Sequence, residues 1–342
     1  MRFIGYCKLF IINLGLISLL FSCERKDEDF SGTFCLNMQN IEMIISQTGD
    51  LVTFSLQNDL LENGTGSVSG DTLALTATTS GSEIFTGTLV FSKDRRSFSG
   101  PFKITDDEGK TMLEGILLGD KGECVKYDIT ARGIPRFVGT NFTRLSMIEK
   151  ISRFRSGFGH SFTDGTESCR SMKHYFNPYA AYRQNNTVEI CSPVTGIIVS
   201  VVNDGYGGSS GLTNKEIQIK PDTQPAFIFV MFHCDLASEA IVTGKRVNAG
   251  DLIGYARMYY DDLAQYVTSF DIAVWVNTPS GMRLISWFET LKDELFSDYV
   301  SRGVTSRQDF IITREVRDAD PLQCNGETFL TAGKIENWVN LN

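Results

Sequence analysis

The sequence predicts a mainly β protein in two parts: a small antiparallel β-barrel or sandwich, then a second β-rich unit with a helical C-terminal cover. Three observations lead there. Between Gly32 and Cys124, short runs with partial apolar alternation are separated by turn residues. Apolar runs of strand length recur at residues 195–202, 216–219, 226–232 and 270–276. After Gly281 the period becomes helical, with Leu284, Ile285, Phe288, Leu291 and Leu295 on one face.

Of the 342 residues, the first 22 read as a signal peptide. Arg2 and Lys8 form a basic start, and the apolar run at residues 9–21 is too short to serve well as a permanent membrane span. Its end, Leu20-Phe21-Ser22-Cys23, resembles the bacterial lipobox, although Phe21 is bulkier than usual there. The resemblance implies acylation of Cys23, and several acyl chains anchor a protein stably to a membrane. Residues 23–31 then form a lipidated acidic tether, with Glu24, Asp27, Glu28 and Asp29 beside Arg25 and Lys26. It also resembles an export tag of surface lipoproteins. The expected location is therefore the outer membrane, lipid-anchored, with the cell surface as one destination.

Residues 32–124 are expected to form the barrel or sandwich. Its runs at 51–56, 72–76, 84–91 and 112–117 are divided by Asn63-Gly64, Ser69-Gly70-Asp71, Ser80-Gly81 and Asp107-Glu108-Gly109. This part has no histidine and no catalytic constellation, and reads as a structural or binding module. Once Cys7 leaves with the leader and Cys23 takes lipid, six of the eight cysteines remain. In an oxidising compartment these can form disulfides. Cys35 and Cys124 bracket the first part and are the expected pair; the pairing of Cys169, Cys191, Cys234 and Cys324 stays open. A net charge of −9 argues against nucleic acid as a partner.

A linker near 124–145 leads to a second domain at 145–282, with a short helix expected within 141–154, and residues 283–342 are read as a helical extension. All three histidines, His160, His174 and His233, lie in this second domain. His160 and Asp164 stand four residues apart, a spacing that can offer an imidazole nitrogen and a carboxylate oxygen to one zinc ion. His174, among aromatic neighbours, reads as a structural histidine.

The order Ser192-Pro193-Val194-Thr195-Gly196, Phe232-His233-Cys234-Asp235-Leu236, Gly244 to Gly254 and Phe270-Asp271-Ile272 resembles the lysostaphin and LytM-type zinc endopeptidases over about residues 155–280. That family's pattern runs from H-x-x-x-D to a histidine followed by leucine, then a glycine-rich turn and a strand with H-x-H. The resemblance implies a LytM-like β-sandwich with a groove along one face, zinc as cofactor, and cleavage of peptide cross-links in peptidoglycan. It also implies metal ligation by His160 and Asp164, with His233 stabilising the attacking water or the oxyanion. Neither histidine of H-x-H is present: Val267-Thr268-Ser269 leads instead into Phe270-Asp271. Asp271 shares a strand face with Ser269 and is the candidate replacement ligand, while His160 with Asp164 stays open between a metal site and a hydrogen-bonded relic. The expected function is non-catalytic binding of peptidoglycan or an envelope protein; the alternative is an active zinc metalloendopeptidase.

Overall fold

The computed structural model describes residues 29–342 except 38–39, 57–60, 62–63, 80, 205–209 and 261–262. The expected signal peptide, Cys23 and most of the tether lie outside the described residues.

Eight strands close into an antiparallel barrel, each paired with its neighbours in sequence and β1 with β8. They are β1 (Gly32–Leu36), β2 (Glu42–Thr48), β3 (Leu51–Leu56), β4 (Gly64–Ser69), β5 (Thr72–Thr78), β6 (Ile84–Phe91), β7 (Ser97–Thr105) and β8 (Thr111–Lys121). Alternation is clearest in β6, where Phe85, Gly87, Leu89 and Phe91 point inward and the residues between them outward. The interior is filled by side chains. Phe34, Phe91 and Phe98 meet at centroid distances of 5.1 to 5.6 Å, and Phe85 lies 5.9 Å from Phe54 and 6.1 Å from Phe102. Gly100 is required by close approach, since a Cβ there would fall 1.8 Å from the Thr88 carbonyl oxygen. Cys35 on β1 is joined by a disulfide to Cys124 just past β8, so the seam of the barrel is also covalent.

The connection to the second part runs through α1 (Ile129–Arg132), N-capped by Asp128. The second part is an 11-stranded sheet made from β9 (Ile148–Ser152), β10 (His174–Pro178), β11 (Glu189–Cys191), β12 (Gly196–Asn203), β13 (Lys215–Pro221), β14 (Phe227–Leu236), β15 (Arg246–Val247), β16 (Leu252–Ala256), β19 (Phe270–Thr278), β20 (Gly281–Ile285) and β23 (Trp338–Asn340). Two short hairpins stand apart from it, β17 (Tyr259–Tyr260) with β18 (Gln265–Tyr266) and β21 (Cys324–Asn325) with β22 (Thr328–Phe329). The main path is β15-β12-β13-β14-β19-β10-β9-β23; β20 pairs with β19, and β16 pairs with β14 and β11.

The central strands are buried on both faces, so they read as continuous apolar runs: every residue of β14 except His233 is buried. One face carries Phe142, Phe176, Phe227, Phe229 and Phe270 and is closed by α2 (Trp287–Thr290) and α3 (Asp293–Val300). The other carries Ile228, Val230, Phe232 and Ala273. The barrel rests on this second part through the Asn40 amide, which donates to the Pro225 carbonyl at 3.1 Å, and through Lys220, which donates to Asn37.

Two local expectations need correction. Within 141–154 there is only a 3-10 turn at Leu145–Met147, and the chain then enters β9, because Ile148 and Ile151 are fully buried in ladders to β10 and β23. Leu284 and Ile285 belong to β20, opposite Trp275 and Val274, and not to a helix. The helical cover begins only after Ser286, whose hydroxyl and the Glu289 carboxylate form a capping box. Beyond α3 and α4 (Arg314–Ala319) the C-terminal segment is largely irregular.

His174 joins β10 to this cap. Its Nδ1 lies 2.8 Å from the Ser152 carbonyl and its Nε2 2.9 Å from the Ser286 hydroxyl. A carbonyl can only accept, so the neutral ring donates from Nδ1 and accepts at Nε2. Burial pushes its pKa down to about 4, against an ordinary value of 6.5. As pH falls through that window the unfolded chain takes up the proton first, so stability must fall with pH. We predict a loss of about 2 kcal/mol from this group between pH 7 and pH 5, read from urea midpoints. In His174→Gln the slope over that range should flatten; an unchanged slope would refute the assignment.

Candidate functional site

The site lies where β14, β19 and β10 run side by side. Tyr175 of β10 pairs with Asp271 of β19, and side chains two apart share a face, so Lys173 and Asp271 project to the same side as diagonal neighbours. Lys173 Nζ is 2.7 Å from Asp271 Oδ2, and their side chains are 2% and 0% exposed. The ammonium also lies 3.8 Å from the Phe232 ring centroid and 4.5 Å from that of Phe162. Burial opposes the lysine's charge, but the adjacent Asp271 carboxylate outweighs it and holds the lysine pKa above its ordinary value.

His233 interrupts β14 with a left-handed backbone, φ +56°. The Asp204 carboxylate supports this turn. Its Oδ2 accepts the His233 N–H at 3.0 Å and lies 3.1 Å from Nδ1 of the same ring. The other ring nitrogen, Nε2, is 3.4 Å from Asp271 Oδ1. The four side chains therefore form a line, Asp204, His233, Asp271, Lys173. Burial again works against the charged ring, yet the Asp204 hydrogen bond and the Asp271 charge together raise the His233 pKa.

His160 and Asp164 are engaged elsewhere. His160 is on a loop at the rim, with Nδ1 3.2 Å from Glu327 Oε2 and 3.2 Å from its neighbour's carbonyl. Burial and the Lys173 charge lower its pKa. Asp164 Oδ1 closes a turn by accepting from the Thr166 N–H and hydroxyl at 3.0 and 2.6 Å, and Oδ2 accepts the Leu284 N–H of β20 at 3.1 Å. Among the described residues no three His, Cys, Asp or Glu side chains are gathered to hold a metal. The zinc implied for His160, Asp164 and Asp271 does not fit this arrangement. Asp271 is already neutralised by an ammonium, which would repel a second cation.

Sequence reasoning missed Lys173 and Asp204. A signal for Lys173 exists: it immediately precedes the aromatic-rich run of β10, His174–Pro178, the strand beside the one bearing Asp271. The Asn177 amide oxygen accepts from Arg183 at 2.7 Å.

The groove implied for this face is roofed. Phe162, from the loop between β9 and β10, packs edge-on to Phe232 and Trp275 at 5.7 and 5.9 Å. The loop is fixed to the C-terminal segment by a disulfide between Cys169 and Cys324 and by Arg170 to Asp318 at 2.7 Å. Within the roof, Glu167 receives Arg155 at 2.8 Å and Arg170 at 2.7 Å, nearly out of solvent. Among the described residues the remaining cysteines, Cys191 and Cys234, are free thiols.

Fold and site together define a two-part β protein: a closed, phenylalanine-filled barrel beside a large sheet with a buried, roofed charge cluster at its centre. No family model matches the chain, and no curated protein is similar to it in sequence. Among solved structures it is similar to Helicobacter pylori Csd3, at 10% identity over 77% of this chain and 82% of that one, with a TM-score of 0.30. That overlap is too loose to add to what the residues show.

Removing Glu167 would leave two largely buried guanidinium groups without their shared partner. Glu167→Ala should cost about 3 kcal/mol or more in denaturant unfolding. A loss below about 1 kcal/mol would mean that the roof is not held by this triad.

Proposed function

We propose that this chain is a non-catalytic envelope protein, exported and lipid-anchored through Cys23 to the outer membrane, that works by binding peptidoglycan or an envelope partner. The observation that carries the non-catalytic reading is Lys173. A buried ammonium ion-paired to Asp271 stands beside the residue that would have to replace the missing metal ligand, and an aromatic roof closes over both. A zinc endopeptidase needs an ion with an open position for water and for the scissile carbonyl. A paired lysine under phenylalanine rings offers neither.

Two disulfides, Cys35 with Cys124 and Cys169 with Cys324, support an oxidising compartment. The net charge of −9 supports a partner other than nucleic acid. With the sheet face roofed, binding falls to the outer surfaces. Between barrel and sheet lies an open cleft of about 430 Å³ that combines Phe98 and Leu118 with Ser92, Ser97, Asp120 and Lys220, a lining suited to a polar chain with apolar patches.

The test is metal content of the chain from residue 24 onward, purified without chelator, together with its action on isolated sacculi. Expected results are no stoichiometric zinc, no chelator-sensitive release of soluble muropeptides, and co-sedimentation of either the sacculi or an envelope protein with the chain. One zinc per chain that is lost in His160→Ala, with muropeptide release, would replace this reading with the active peptidase.

A further inference from the structure

We infer that Lys173 and Asp271 condense into an intramolecular amide, a side-chain cross-link between β10 and β19 that forms without any added reagent. The geometry supplies each requirement of that reaction.

Proximity comes first. The nucleophilic nitrogen is 2.7 Å from a carboxylate oxygen, between neighbouring strands whose register fixes both backbones. Dryness is the second requirement. Neither side chain reaches solvent, and the Phe232 and Phe162 rings lie 3.8 and 4.5 Å from the nitrogen, so water is kept from the site. Condensation that expels water is favoured where water is scarce. Nitrogen can attack only after its proton passes to the carboxylate, and the 2.7 Å contact places donor and acceptor of that transfer side by side.

The third requirement is a donor for the charge that develops on the carboxyl group. His233 Nε2 is 3.4 Å from Asp271 Oδ1, the oxygen that stays, and its Nδ1 is 3.1 Å from Asp204 Oδ2. With a carboxylate on each side, both ring nitrogens are donors. Nε2 thus lies beside the oxygen that turns anionic when nitrogen adds to the carbon, and a small approach from 3.4 Å would make it an oxyanion-hole donor.

The step balances. Lys173 Nζ forms a bond to Asp271 Cγ, and the Cγ–Oδ2 bond breaks. The ammonium sheds two protons, and Oδ2 leaves with both as water. No oxidant, reductant or cofactor enters. The product is an uncharged secondary amide in a site that had held two charges, which removes their desolvation cost.

The experiment is the intact mass of the purified protein after disulfide reduction, followed by tandem mass spectrometry of a digest. Expected is a mass one water below that of the sequence, with a branched peptide joining the Lys173 and Asp271 segments. Lys173→Ala and Asp271→Ala should each restore the full mass, and His233→Ala should leave the loss of water incomplete. A wild-type protein of full mass overturns the inference, as does a loss of water that maps to other residues. The wild-type measurement needs no variant to fold. It also separates the two readings: full mass without zinc removes only the cross-link, whereas full mass with bound zinc removes the non-catalytic function as well.

Discussion

The contact between Lys173 and Asp271 sets the terms for the second half of this protein. Taking a full positive and a full negative charge out of water carries a desolvation cost of several kcal/mol per ion, recovered only when the pair is close and well surrounded. Here the pair is at 2.7 Å, with aromatic faces above the cation and His233 on the free side of the anion. The surroundings follow from that need. Asp204 holds the His233 ring, the loop bearing Phe162 closes the top, and ion pairs around Glu167 with the Cys169–Cys324 disulfide keep the loop down. Without this shell the sheet would hold two poorly compensated charges at its centre.

The same contact explains why the apparent peptidase pattern and the actual arrangement diverge. His233 and Asp271 do meet, across the β14 and β19 pairing, and both were legible as chemistry-bearing positions. His160 and Asp164 matched the ligand spacing but lie on the loop between β9 and β10, where His160 Nδ1 faces Glu327 and the Asp164 carboxylate accepts from Thr166 and Leu284. Lys173 was passed over because a lysine in a sequence normally reads as solvated surface. Its burial depends on a carboxylate nearly a hundred residues later, which no local pattern reports. Asp204 was hidden for the same reason, since its partner is the His233 bend on another strand.

Legibility of the fold followed burial geometry. Strands such as β5 and β6 face a packed interior on one side and solvent on the other, so their residues alternate and can be read directly. In β14 and β19 both sides are covered, and length and composition identified them instead. Leu284 and Ile285 misled because adjacent buried residues fit a helical face as well as a doubly covered strand; only the ladder to β19 decides. Residues 141–154 misled likewise, since the strand there exists by pairing with segments far along the chain. The Cys169–Cys324 link was not deducible, because four cysteines admit several pairings.

The placement of β23 bears on how the molecule comes into being. Residues 338–340 form the edge strand beside β9, and Cys324 closes the roof over a site laid down some 150 residues earlier. Both contacts are of very high sequence separation, the kind that makes folding slow and late. As the chain emerges, the barrel can complete itself early, since every strand but the β1–β8 closure pairs with its immediate successor. The sheet must wait with an uncovered edge and an open, charged centre until Cys324 and residues 338–340 are free. Assembly of the two parts is therefore ordered, the barrel first and the roofed sheet after it.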